Sequence, residues 1–242
     1  MYHIIDALKS LIFPTTCELC SQSTIPICSR CAHLLSSSGQ PIYGFSEAVA
    51  AGYVYNEASA RIILRAKERG IRSAQQSLAL SLWSAFSLLH ITESKVALVP
   101  VPSSKEAIRR RGRNFIIDLL YEFVSLQNTT PKSKPRISFE IHDVLIHQRK
   151  VRDQSGLTMN QRLRNMDHAL MVREKIDIPA VIVDDVITTG ATLKAAFSAL
   201  NVAKATILGG IAACASPQQM RIRYAGGSDP RQNITCRGRT YP

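Results

Sequence analysis

Residues 181–193 read VIVDDVITTGATL, and this stretch carries the clearest signal of the fold. Its apolar, β-branched run predicts a buried strand at 180–187, and the residues after the loop predict a helix at 191–202. Strands and helices alternate through most of the chain, which predicts an open, largely parallel α/β sheet with helices on both faces and ligands at the carboxyl ends of its strands. The other predicted strands are 48–55, 96–101, 137–147, 169–173 and 205–213, and the other predicted helices are 59–69, 75–89 and 105–126.

The loop inside this stretch has the composition of a phosphate- and sugar-binding site. Its glycine allows a tight turn, and backbone amides at the start of the following helix can bind a phosphate with help from the helix dipole. The two acids end the strand, where their oxygens can accept hydrogen bonds from ribose hydroxyls. The alternative is a strand, turn and helix with incidental acids. The predicted ligand-binding positions are Asp184, Asp185, Thr188, Thr189, Gly190, Ala191 and Thr192.

The chain of 242 residues is strongly basic, with a formal net charge of +12 and a sequence pI of about 9.7. This charge favours a polyanionic partner: nucleic acid, an anionic membrane surface or a phosphorylated small molecule. With 45% hydrophobic and 20% charged residues, the composition is that of a globular protein rather than a disordered or fibrous one. Residues 221–239 hold five arginines against one aspartate and are predicted to form a solvated basic tail.

No apolar run reaches the roughly 18 to 20 residues of a membrane-spanning helix. The start MYHIIDALKSLIF lacks the basic region and the small-residue cleavage site of a signal peptide. Its apolar stripe favours a helix packed on its own domain over a membrane anchor. We therefore expect a cytoplasmic protein.

Four of the six cysteines form two C-x-x-C pairs with seven residues between them. Each pair can place two thiolates on one metal ion, and four sulfurs complete the tetrahedral shell of a structural zinc site. A segment this short has too little core to fold alone, so the metal would supply its folding free energy. Two disulfides or unliganded thiols are the alternative. The predicted zinc ligands are Cys17, Cys20, Cys28 and Cys31.

The serine-rich stretch SSSGQP at 36–41 predicts a linker between the cysteine cluster and the main domain. We expect three parts. Residues 1–40 hold the N-terminal helix and the zinc knuckle, residues 41–215 the main α/β domain, and residues 216–242 a basic, flexible tail.

The stretch at 181–193 also resembles the signature by which type I phosphoribosyltransferases bind 5-phosphoribosyl-1-pyrophosphate (PRPP): hydrophobic residues, Asp-Asp, hydrophobic residues and Thr-Thr-Gly-x-Thr. Other segments are similar to the ComF family (ComFC-like and GntX-like proteins), in which a Cys-rich knuckle precedes a transferase-like domain. The resemblance implies a type I phosphoribosyltransferase-like fold. The similar segments are SLIFPTTCELC with the later CSRC, VPVPSSKEAIRRRGRN at 99–114, RKVRDQSGLTMNQRLRN at 149–165 and, more faintly, AKERG at 66–70.

The resemblance implies a second part of the site, because the loop after the second core strand holds pyrophosphate in type I enzymes. The matching positions here are Pro102, Ser103, Ser104 and Lys105. Three arginines follow on the next helix, and each either contacts pyrophosphate or belongs to a solvated helix face; they are Arg109, Arg111 and Arg113. Residues 149–165 match the mobile loop that covers the site. Its candidate contact residues are Arg149, Arg152, Gln154 and Gly156.

The chain departs from the family at one place. Where the family usually reads Arg-Gly-Phe-Asn-Gln, residues 111–115 read Arg-Gly-Arg-Asn-Phe. Any function of that glutamine is therefore absent from this chain, although the basic character persists.

The implied reaction is displacement of pyrophosphate from PRPP by a nitrogen nucleophile. Asp184 and Asp185 would hold the ribose, the loop 188–192 the 5′-phosphate, and Lys105 the leaving group, with Mg²⁺ carried largely by substrate oxygens and water. The acceptor has no visible signature in the sequence. A different class of function is also open: a competence accessory protein that binds single-stranded DNA through its basic surface.

Overall fold

The chain builds one mixed α/β unit in the computed structural model, which describes residues 39–127, 137–148 and 170–220. No helix within these ranges is long and apolar enough to cross a membrane. The strands are β1 (Gln40–Ile42), β2 (Val49–Val54), β3 (Lys95–Pro100), β4 (Ser138–Ile141), β5 (Leu145–His147), β6 (Leu170–Val172), β7 (Ala180–Ile187) and β8 (Ile207–Ala215). The helices are α1 (Glu57–Arg69), α2 (Arg72–Phe86, followed by a 3₁₀ turn), α3 (Lys105–Arg111), α4 (Phe115–Leu126) and α5 (Ala191–Val202).

Six strands form the main sheet in the order β1-β2-β8-β7-β3-β4. The five strands β2, β8, β7, β3 and β4 are all parallel to their neighbours. Within this sheet, the short edge strand β1 alone is antiparallel, and it pairs with β2. Strands β5 and β6 form a separate antiparallel pair. The prediction of a largely parallel α/β sheet is confirmed.

Helices cover both faces of this sheet because alternate side chains of each central strand point to opposite sides. In β7, Val181 and Val183 pack into the core under α1, α2 and α4. Ala180 and Ile182 pack on the other side, under α5 and the β5–β6 pair. All four side chains are fully buried. The continuous apolar run of β7 thus reflects burial on two faces.

The chain reverses its direction of winding between β3 and β7. Strand β3 continues to β4 through α4 on one face, whereas β7 continues to β8 through α5 on the opposite face. Because β3 and β7 are neighbours, the loops that follow them leave the sheet in opposite directions. A crevice between such loops is where ligands bind in open α/β sheets.

Two predicted elements are each divided in two. The helix predicted at 105–126 is interrupted at Gly112, whose φ of 67° is left-handed, so the chain turns between α3 and α4. The strand predicted at 137–147 is also split. Its first half pairs with β3 in the main sheet, and its second half pairs with β6.

An aromatic cluster fills the core near the amino ends of β3 and β4. Trp83 of α2 stacks on Phe123 of α4 with a centroid distance of 4.7 Å, and its indole N–H donates to the Phe123 carbonyl at 2.7 Å. Phe86 and Phe139 meet these rings edge to face. Phe139 lies beside Val96, the second residue of β3, which places the cluster at the edge of the sheet opposite the strands' carboxyl ends.

Candidate functional site

The carboxyl ends of β3 and β7 bring the predicted site residues to one edge of the sheet. Pro100 of β3 pairs with Val183 of β7, and the Val101 amide donates to the Val183 carbonyl at 2.9 Å. Pro102 follows Val101 after β3, and Asp184 follows Val183 in β7. The acidic pair, the loop after β7 and the loop after β3 therefore meet at the point where the winding reverses.

The acidic pair is partly buried and shares one local hydrogen bond. The backbone amide of Asp185 donates to Asp184 Oδ1 at 2.8 Å. Burial raises the pKa of Asp184 well above its ordinary value, and the neighbouring Asp185 carboxylate raises it further, while Lys67 acts in the opposite direction. Two adjacent carboxyl groups in such a place resist carrying two full negative charges.

Lys67 of α1 forms an ion pair with Asp185, between Nζ and Oδ2. Both side chains are largely buried, with 26% of the lysine and 16% of the aspartate exposed. Sequence reasoning gave Lys67 no role, although the faint match at 66–70 was a signal. The contact spans 118 positions of the chain, so only the tertiary fold could show it.

The loop after β7 leaves its polar groups open to solvent. Thr188, Thr189 and Thr192 are exposed, and the Ala191 amide donates to Thr189 Oγ1 at 3.3 Å. Gly190 starts α5 with a left-handed φ of 77° and has no side chain with which to cap the helix. The three threonine side chains are therefore accessible from solvent, where their hydroxyls can donate to a phosphate.

A phenyl ring supports this loop from behind. An added Cβ at Gly190 would lie 2.7 Å from Cζ of Phe45, so the ring closes the space where any other residue would place its side chain. Phe45 is itself held by Phe197 at a centroid distance of 6.0 Å and by the Lys194 ammonium group, 5.5 Å from the ring centroid. A side chain at this position would need both a left-handed φ and a shift of the Phe45 ring.

The loop after β3 borders a cleft of about 970 Å³. Ser104 accepts a hydrogen bond from the Ala107 amide at 3.2 Å and so caps α3. The β5–β6 pair forms the opposite wall, and His147 Nε2 lies 3.1 Å from the Pro102 carbonyl. The polar residues that line the cleft include Ser103, Ser104, Lys105, Asn114, Asp143 and Arg173.

The three arginines of the basic segment have different environments. Arg109 is exposed and pairs loosely with Glu106 at 3.5 Å. Arg111 is only 7% exposed and pairs with Glu68 of α1 at 2.9 Å. Arg113 pairs with Asp118 at 2.7 Å and also donates to the Ala66 carbonyl of α1. Two of the three therefore serve internal contacts, and Arg109 remains open to solvent.

Two groups of predicted residues lie outside the described ranges. They are the zinc ligands Cys17, Cys20, Cys28 and Cys31, and the covering-loop candidates Arg149, Arg152, Gln154 and Gly156. His147 and Leu170, which pair in the β5–β6 strands, lie on either side of residues 149–169 in the sequence.

Comparison with known proteins shows a similarity to solved structures. No model of a known protein family matches the chain, and no curated protein sequence matches it. Among solved structures, the chain is similar to a hypoxanthine phosphoribosyltransferase from Staphylococcus aureus, with 13% identity and a TM-score of 0.30 over 62% of this chain and 68% of that one.

Proposed function

We propose that the protein binds PRPP at the carboxyl ends of β3 and β7 and acts as a phosphoribosyltransferase of the ComF type. One observation carries the proposal: an adjacent pair of aspartates and a Thr-Thr-Gly-x-Thr loop lie at the crevice where the winding of the sheet reverses. The loop offers donors for a phosphate, and the acids offer acceptors for a sugar. PRPP presents both groups in one small molecule.

Each part of the site has a role in this proposal. Asp184 and Asp185 accept hydrogen bonds from the ribose hydroxyls. The hydroxyls and amides of 188–192 hold the 5′-phosphate. Ser103 of the loop after β3 and Lys105 at the start of α3 face the pyrophosphate across the crevice. The cleft between that loop and the β5–β6 pair gives room for the leaving group and for part of the acceptor.

The reaction transfers the phosphoribosyl group to a nitrogen nucleophile and releases pyrophosphate. The bond between the anomeric carbon and the pyrophosphate oxygen breaks as the bond to nitrogen forms. Positive charge then develops on the sugar and negative charge on the leaving group, so fixed charges around the site stabilise the transition state. Mg²⁺ would neutralise the pyrophosphate and keep mostly substrate oxygens and water as ligands.

A binding titration tests this proposal. Calorimetry should show PRPP binding in the presence of Mg²⁺, and the variant with Asp184→Asn and Asp185→Asn should lose it. Each lost charge-assisted hydrogen bond weakens binding by about 1 to 2 kcal/mol, because an amide oxygen is a weaker acceptor than a carboxylate. The control is Lys95→Met, which breaks an exposed ion pair with Glu140 at the amino end of β3.

Two outcomes would contradict the proposal. One is a double-asparagine variant that binds PRPP as well as the wild type does. The other is a wild-type protein that binds single-stranded DNA with a salt-dependent affinity but does not bind PRPP, in which case the fold serves nucleic acid. The second outcome has less support, because Arg111 and Arg113 are engaged in internal ion pairs.

A further inference from the structure

Helix α1 crosses the carboxyl edge of the sheet. It starts beside β2 and β8, where the Tyr55 amide donates to the Ala215 carbonyl at 2.7 Å and Ser59 Oγ donates to the Val54 carbonyl at 3.0 Å. It ends beside β7, where Lys67 reaches Asp185. Thirteen residues span about 20 Å, more than the roughly 10 Å between β2 and β7. The last turn of α1 therefore lies over the acidic pair.

The end of α3 and the residues that follow it, 111–115, fix this last turn in place. The Arg113 guanidinium donates to the carbonyl of Ala66, the residue before Lys67. Arg111 forms an ion pair with Glu68, the residue after Lys67. The buried Phe115 ring lies beneath both cations, 5.8 Å from Lys67 Nζ and 5.6 Å from Arg113 Cζ. Such cation–π contacts favour a fixed position of each charge.

The residues that hold Lys67 stand at the two positions where this chain departs from the family pattern. Arg113 stands where the ComF pattern has Phe, and Phe115 stands where it has Gln. In this chain both residues contact the end of α1 rather than the cleft. The two residues that differ from the family pattern therefore help to fix the position of Lys67.

We propose that Lys67 is a positioning residue of the ribose-binding site, which orients the Asp185 carboxylate to accept a ribose hydroxyl, and that Arg113 and Phe115 keep Lys67 in place. The proposal rests on the PRPP-binding function stated above. The contact that Lys67 makes at the acidic pair is with the Asp185 carboxylate, so its effect on the ribose passes through that group in this proposal.

The electrostatics of the edge explain why such a residue is needed. Three titratable groups around the acidic pair interact with it or with each other: Asp184 on β7, Cys214 on β8 and Lys67 on α1. The first is acidic and the second is a buried thiol whose pKa burial raises, so neither can neutralise Asp185. Lys67 supplies the one positive charge in this group.

A double-mutant cycle tests the proposal. PRPP affinity in the presence of Mg²⁺ is measured for the wild type, Lys67→Met, Asp185→Asn and the double variant. Lys67→Met alone should weaken binding roughly tenfold or more, the size expected for a hydrogen bond to a charged group. In the Asp185→Asn background the same change should have almost no effect, because the carboxylate on which Lys67 acts is gone. Lys67→Arg should retain most of the affinity, and Lys95→Met serves as the matched control.

The pH dependence gives a second readout that a merely structural lysine would not alter. The Lys67 charge lowers the pKa of Asp184, which burial raises to about 8, so Lys67→Met should raise that pKa further. The affinity of Lys67→Met relative to the wild type should therefore recover as the pH rises above about 8. Should Lys67→Met lose the circular dichroism spectrum of the folded protein, Lys67→Gln replaces it in the cycle.

The outcomes separate the two proposals. Additive effects of Lys67→Met and Asp185→Asn would mean that Lys67 contacts the ligand directly, and a Lys67→Met variant with wild-type affinity would mean that it has no role. Either result overturns this inference and leaves the proposed function intact. Failure of the wild type to bind PRPP, or PRPP binding that does not depend on Asp184 and Asp185, overturns both.

Discussion

At the scale of single residues, Asp184 combines a functional position with an unfavourable environment. It lies at the end of a buried strand next to a second carboxylate, and both conditions raise its pKa. Residues selected for binding often carry such a cost in stability, because the ligand rather than the free protein compensates the charge. The free protein should therefore be less stable than a variant in which that position cannot ionise.

Asp184→Asn should stabilise the free protein at pH 8, by about 1 to 2 kcal/mol. An acid whose pKa is raised in the folded state contributes stability at low pH and loses it as the pH rises from the unfolded value of about 4 towards the folded value. The asparagine does not titrate, so the difference between the two proteins should grow over this window and vanish below it. Urea unfolding at several pH values measures it. A difference that stays constant with pH would show that Asp184 is not the titrating group.

The two aspartates were evident from the sequence, whereas Lys67 was not. Asp184 and Asp185 are adjacent in the chain and follow an apolar run, so local pattern alone predicted their place at the end of a strand. Lys67 looks like any basic residue in the last turn of a helix. Its partner is defined only when α1 crosses the sheet edge, which is a property of the tertiary fold.

At the scale of elements, the unit formed by β7, its loop and α5 has the bounds predicted from the sequence, at 180–187 and 191–202. Burial on two faces makes residues 180–183 of the strand continuously apolar, and Gly190 marks the turn. The region 105–126 was harder to predict, because its apolar pattern continues across the turn at Gly112 and one positive φ is enough to make two helices. Local composition could not distinguish one continuous helix from two helices separated by a turn.

Gly190→Ala should destabilise the protein more than Gly112→Ala. Both glycines have a left-handed φ, 77° and 67°, so each alanine costs about 1 to 2 kcal/mol in backbone conformation. A Cβ at Gly112 meets nothing within 4 Å, whereas a Cβ at Gly190 meets the Phe45 ring at 2.7 Å. Displacing that ring should add about 1 kcal/mol or more. The free energies of unfolding in urea measure the difference, and equal losses would show that the ring moves aside freely.

At the scale of the whole molecule, the α/β unit is covered on both faces and presents its polar groups at one edge. The cysteine cluster precedes this unit in the chain, and the arginine-rich residues 221–239 follow it. The β5–β6 pair, which borders the cleft, lies on either side of residues 149–169 in the sequence. The sequence predicts a separate role for each of these segments, and the cysteine cluster has the sharpest test.

Purified protein should contain about one zinc ion per chain, held by Cys17, Cys20, Cys28 and Cys31. Cys17→Ser should release the metal, because three thiolates bind it less tightly than four. Cys236→Ser, which removes a cysteine outside the cluster, should keep it. Elemental analysis of protein produced with metal available measures the content. Iron in place of zinc would indicate a rubredoxin-like site, and a protein with neither metal would rule out the predicted knuckle.

The aromatic cluster has a spectroscopic consequence, since Trp83 is the only tryptophan of the chain. Its indole is stacked on Phe123 and lies near the amino ends of the strands. Along β3, Val96 near the amino edge and Pro100 at the carboxyl edge are about 13 Å apart. The intrinsic fluorescence of the protein therefore reports the melting of its helical layer with little contribution from events at the acidic pair. Optical unfolding curves can thus compare variants of the site without a signal from the site itself.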